Sequence, residues 1–105
     1  MEKENFSNRL AELRVEKGVS ARDMSLSIGQ SAGYINNVEN GVNYPSMQTF
    51  FYICDYLGIS PKEFFDTENV APEKNRELIE EAKKLRSDEL ELVISIVKAL
   101  NRKDH

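Results

Sequence analysis

Gly18 to Gly41 reads GVSARDMSLSIGQSAGYINNVENG, and the architecture of the chain follows from it. Ser20, with Asp23 three residues on, has the spacing of a helix start: a hydroxyl for a first-turn amide and a short-armed acid. Met24 and Ile28 lie about one turn apart and form an apolar stripe. Gly29 then supplies a turn. A second helix is predicted from near Ser31, with Ile35 and Val38 pointing inward and Ala32, Gly33, Asn36 and Asn37 pointing out. It stops at Asn40-Gly41, a pair suited to a left-handed C-cap. Two short helices thus flank a tight glycine turn, and the outer face of the second is bare of long side chains.

The flanking sequence continues the helical pattern. Phe6, Leu10, Leu13 and Arg14 share one face, predicting a first helix over residues 5–17 that ends at Gly18. After the loop Val42-Asn43-Tyr44-Pro45, Ser46 opens a fourth helix whose apolar face is Met47, Phe50, Ile53, Cys54 and Leu57. Gly58 closes it. Ser60-Pro61-Lys62-Glu63 places an N-cap hydroxyl, a first-turn proline and a glutamate at the third position, a strong start for a short fifth helix. Phe50, Phe51, Phe64 and Phe65 read as core, and Cys54 as a buried thiol. Residues 1–66 are expected to form one five-helix domain and 67–73 a linker. Residues 74–103 are expected to form a C-terminal helical segment, as two helices or one long bent one. Its stripes are Leu78, Ile79, Ala82 and Leu85, then Leu90, Val93, Ile94, Val97 and Leu100, widened by Leu92 and Ile96. Ser87, ahead of Asp88 and Glu89, is the expected cap between them. There is no strand signal, so the fold class is all-α.

The bulk numbers exclude several functions. The net charge is −4 and the pI about 5.0. Residues 1–66 carry six bases against nine acids, and residues 67–105 eight against nine. No apolar run approaches the roughly 20 residues that span a bilayer, and the first ten residues lack the apolar centre of a secretion signal. A cytoplasmic protein without membrane attachment is expected. One cysteine excludes an internal disulfide. His105, the only histidine, is the last residue, and no Cys/His cluster offers a zinc site. No nucleophile has a base beside it in any pattern, and no glycine-rich phosphate loop occurs. No enzyme activity, metal, cofactor or small-molecule ligand is expected.

The Gly18–Gly41 pattern is the outline of a helix-turn-helix, whose second helix lies in a DNA major groove. From about residue 9 to 66 the chain resembles the Cro/repressor-type (Xre-like) helix-turn-helix domains of phage repressors and bacterial regulators. RLAELRVEKGVS is similar to the family's first helix and its entry to the second. Gly29 matches the turn glycine, YINNVENG the segment ending in Glu and Gly, and YPSMQTFFYICDYLGISPKEFF the closing helix pair. The resemblance implies a lambda-repressor-like five-helix domain. It places Ala32, Gly33, Asn36 and Asn37 at base edges. It puts Ser20, Ala21, Arg22, Ser31, Tyr34, Asn40, Asn43 and Tyr44 against DNA phosphates. It also implies an Arg14–Glu39 pair tying the first helix to the third.

Departures from the family pattern weaken the expected grip on DNA. Ala21 stands where relatives usually carry Gln, and Ser25 where they carry Ala, a small change. Ala32 and Gly33 reach a thymine methyl at most, whereas Asn37 has the donor and acceptor that pair with adenine. The loop VNYP has no cation, which leaves Arg22 alone near the groove-facing edge. Asn36 and Asn37 read either as solvated surface or as DNA contacts. Tyr34 and Tyr44 read either as packing residues or as phosphate contacts. The stripe Leu90, Val93, Ile94, Val97 and Leu100 reads either as packing on the first domain or as a dimer interface. Two functions stand against each other. One is a homodimeric, sequence-specific transcriptional regulator that binds double-stranded DNA with its third helix in the major groove. The other is a protein-interaction module that keeps the helix-turn-helix shape with little or no DNA binding.

Overall fold

The computed structural model describes residues 2–103; His105 lies outside them. The chain is all-α, with no strand among the described residues. Its helices are α1 (Lys3–Lys17), α2 (Ala21–Ser27), α3 (Tyr34–Glu39), α4 (Met47–Leu57), α5 (Pro61–Phe65), α6 (Pro72–Ala82) and α7 (Ser87–Lys103). One compact unit runs to Glu73 and a second starts at Lys74.

Local chemistry accounts for most of the helix ends in the first unit. Gly18 closes α1 in the left-handed region, and its N–H donates to the carbonyls of Arg14 and Val15. Ser20 caps α2 by accepting from the Asp23 amide at 2.9 Å. Ser46 does the same for α4 through Thr49 at 3.1 Å. At α5 the capping box is complete, with Ser60 and Glu63 each accepting the other's amide and Pro61 at the first helical position.

The core is one cluster drawn from every helix of this unit. Phe6, Leu10 and Leu13 come from α1, Met24 from α2, Ile35 and Val38 from α3. Phe50, Ile53, Cys54 and Leu57 come from α4, followed by Ile59 and by Phe64 of α5. The Phe64 ring lies 5.0 Å from that of Phe6 and 5.1 Å from that of Phe50. Two expectations change here. Met47 is 67% exposed, because the capping turn at Ser46 leaves it on the outer side of α4. Phe51 and Phe65 are each 48% exposed and lean on Phe50 from outside rather than lying in the core.

The stretch 67–73 is tethered to the body. Arg9 of α1 is 2% exposed. Its guanidinium donates to the carbonyls of Phe64 (2.6 Å), Glu63 (2.9 Å), Asp66 (2.9 Å) and Asn69 (3.0 Å) and pairs with Glu12 at 2.7 Å. These carbonyls lie at and beyond the end of α5, where helical donors run out and a cation also complements the helix dipole. Pro72, buried, then opens α6 at its first position.

In the second unit α6 and α7 are separate helices, broken over residues 83–86. Ser87 is the first residue of α7 and not its cap. The carboxylate of Glu89 reaches back to accept the Arg86 amide at 2.9 Å, so the acid supplies the cap expected from the Ser87 hydroxyl. No residue from 74 to 102 is buried.

Candidate nucleic-acid interface

The turn between α2 and α3 depends on Gly29. Its φ of 80° lies in the left-handed region, which a side chain would strain. Gln30 then folds back, its N–H donating to the Ser25 carbonyl at 2.9 Å. The chain passes through a further turn in which Tyr34 N–H donates to the Ser31 carbonyl. The α3 helix therefore begins at Tyr34, not near Ser31 as its sequence pattern predicts, and Ala32 and Gly33 lie in the turn before it.

The physical reason is Ser25. Its side chain is fully buried; its hydroxyl donates to the Ala21 carbonyl at 2.7 Å and accepts the Ile35 amide at 2.9 Å. The second residue of α3 is thus bonded to α2 rather than to a carbonyl one turn earlier in its own chain. Gly33, at the N-cap, has no side chain to offer. The other end of α3 is held by α1. Arg14 grips Glu39 through two nitrogens, at 2.6 and 3.1 Å, and donates to the Val19 carbonyl at 2.9 Å. The hydrogen bond and charge of Glu39 raise the Arg14 pKa further above its already high value, against the effect of burial. Ser7 adds a bond to the Val38 carbonyl at 2.7 Å. A six-residue helix is too short to be stable alone, and here it is fastened at both ends.

What α3 presents is small and polar. Asn36 and Asn37 are exposed, Gly33 is exposed without a side chain, and Ala32 is half-buried. Around them, Ser20 is occupied as the α2 cap but exposed, and Arg22 is exposed with no ion-pair partner among the described residues. Ser31 and Asn40 are exposed, while Ala21 packs against the core. Tyr34 packs against the core too, and its hydroxyl bonds to Thr49; burial is what raises its pKa. Asn43 donates to the Tyr44 carbonyl at 3.3 Å within its own loop. Tyr44 sets its ring edge-on to Phe6 at 5.5 Å, and the Lys3 ammonium sits 5.7 Å above that ring.

Charge on these elements is near balance rather than negative. Between Gly18 and Pro45 the only charged residues are Arg22, Asp23 and Glu39. Glu39 is neutralised by Arg14. Lys3 brings one further cation to the loop after α3. Lys17 contributes little to this edge, because it pairs with Glu73 at 3.1 Å. The acidic excess of the chain lies on other elements.

Residues 7–70 match the family model described as a helix-turn-helix domain. The chain belongs to the helix-turn-helix domain family. No curated protein and no solved structure matches it. Within this helix-turn-helix domain, α2 and α3 are the two helices of the motif, and α1, α4 and α5 pack behind them around the shared core.

Three residues of the helix-turn-helix domain take on roles that the sequence pattern does not announce. Ser25 reads as a minor variant of Ala, yet it joins the two motif helices. Lys3 reaches the loop after α3 from the opposite end of the domain sequence. Arg9 enters the sequence reading only as one of the bases counted, and its carbonyl partners lie 54 to 60 residues away. No local period carries such long-range bonds. The one usable signal is a cation directly beside the apolar Leu10.

Proposed function

We propose that this chain is a sequence-specific DNA-binding transcriptional regulator that works as a homodimer, with α3 entering the major groove. The observation that carries the reading is the immobilised α3. Ser25, Ser7 and the Arg14–Glu39 pair fix a short helix whose outward side chains are amides. Asn37 has the donor and acceptor for the N6/N7 edge of adenine, a pairing worth about 1–3 kcal/mol of discrimination. Arg22 at the start of α2 and Lys3 beside Tyr44 lie where phosphates would flank the groove, with the amides at the start of α2 adding dipole attraction. Ala32 offers a methyl group for apolar contact with thymine. DNA shape supplies part of the selectivity.

A two-fold dimer presents two copies of α3 to successive major grooves about 34 Å apart. Selection from a random duplex library tests this. The full chain is expected to enrich two inverted half-sites at one-turn spacing. Asn37→Ala is expected to relax one position of each half-site while the rest stays selected. Enrichment of no motif by the intact chain would overturn sequence-specific reading. The alternative, a protein-interaction module, is favoured by one observation: among the described residues, only Arg22 and Lys3 bring positive charge without an ion-pair partner to this edge.

A further inference from the structure

The second unit lacks a core. No residue from 74 to 102 is buried, although α6 carries Leu78 and Ile79, the turn after it carries Leu85, and α7 carries seven aliphatic residues between Leu90 and Leu100. Leu92 is 65% exposed and Leu100 57%. At 3.6 residues per turn, the apolar side chains of α7 cover roughly 220° of its circumference, about twice the arc that a helix lying on one surface needs. Two short helices cannot bury that arc between themselves. Doubling the unit makes four helices, enough for a bundle with an interior.

The charges on α7 specify the arrangement. Asp88, Glu89 and Glu91 crowd its first two turns, and Lys98 and Arg102 lie in its last two. Arg86, just before the helix, offsets part of the acidic end through Asp88 and Glu89. Glu91, Lys98 and Arg102 have no ion-pair partner among the described residues. Glu91 and Lys98 lie on the same edge of the apolar arc, beside Ile94, by the helical repeat. A parallel pair would set acid against acid and base against base. An antiparallel pair with its two-fold axis between Ile94 and Ser95 sets each Glu91 opposite Lys98 of the second copy, twice over. The same register brings Asp88 within one residue of Arg102 and opposes the two helix dipoles.

We infer that α7 docks on α7 of a second copy, antiparallel and centred near Ser95, with Leu90, Ile94 and Val97 facing across the axis. This rests on the homodimer reading above and adds its geometry. Such a contact is isologous and closes, so it stops at two copies.

Sedimentation equilibrium of the full chain separates the two ideas. The wild-type chain is expected to be dimeric. Glu91→Lys and Lys98→Glu, both exposed changes, should each weaken self-association about tenfold, since each converts two attractions into repulsions. The double variant E91K/K98E should return to the wild-type constant. A wild-type chain that stays monomeric at every concentration overturns the dimer itself, and this geometry with it. A wild-type dimer whose constant is unchanged in both single variants overturns the antiparallel register and leaves the dimer standing.

Discussion

Replacing Ser25 with Ala removes one oxygen from a fully buried position, and the loss can be followed bond by bond. The hydroxyl accepts from Ile35 N–H at 2.9 Å and donates to the Ala21 carbonyl at 2.7 Å. The carbonyl keeps its place in the α2 ladder. The amide does not: Ile35 is itself fully buried, so its N–H is left without an acceptor and without water. An unsatisfied buried donor costs about 1–3 kcal/mol. Alanine's better helix propensity returns a few tenths of a kcal/mol, roughly 0.5 at most. The net loss is therefore about 0.5–2.5 kcal/mol. With a urea m-value near 1 kcal/mol/M for a domain of this size, the midpoint should fall by about 0.5–2.5 M at unchanged slope. Amide exchange at Ile35 should accelerate by the same factor or more. The competing outcome is specific. If Ile35 N–H simply bonds to a carbonyl one turn earlier in its own chain, α3 lengthens and stability is unchanged. A Ser25→Ala midpoint within about 0.3 M of wild type would show that the hydroxyl does not set where α3 begins.

Other substitutions probe the remaining ties. Glu39→Gln keeps the shape of the Arg14 partner but not its charge, in a pair that is mostly buried; a loss of about 1–3 kcal/mol in thermal or urea unfolding is expected, and a change below 0.3 kcal/mol would mean the pair does not fasten α3. Arg9→Met removes the guanidinium that holds the Asp66 and Asn69 carbonyls, so limited proteolysis should cut within residues 66–73 much faster than in wild type; equal cleavage would contradict the clip. Burial, helped by the charge of Asp55, pushes the Cys54 thiol up to about 11 from its ordinary 9.0. The folded state therefore holds its proton longer than the unfolded state, so this contribution is full below pH 9 and is lost as pH rises toward 11. Cys54→Ala should show a smaller alkaline loss of stability than wild type, and native Cys54 should resist iodoacetamide at pH 8 until urea unfolds the domain.

Helix ends were legible wherever one residue's own side chain makes the cap. Gly18, Ser20, Ser46 and the Ser60–Glu63 box act within three or four residues, and their spacing is enough to place α1, α2, α4 and α5. The start of α3 was not legible, because its acceptor comes from Ser25 in another helix. Apolar spacing found the core positions but overcounted at Met47, Phe51 and Phe65, since a period identifies a face and not how far a neighbour covers it. Pro72 carried a first-position proline signal that the acidic, proline-containing stretch around it obscured. For the interface, Asn36 and Asn37 were readable as outward amides. The approach of Lys3 to Tyr44 depends on how α1 meets the loop after α3, which only the packed structure supplies.

DNA binding itself is tested by fluorescence anisotropy of the full chain on labelled random duplex across a salt series. Lys3 and Arg22 on each of two copies give about four phosphate contacts and a slope of log affinity on log salt near −3.6. Micromolar binding at low salt, falling with about that slope and flattening when both residues are changed to Gln, is the predicted result. No change in anisotropy at the lowest salt and tens of micromolar protein would contradict a DNA-binding role and leave α3 as a surface for another protein.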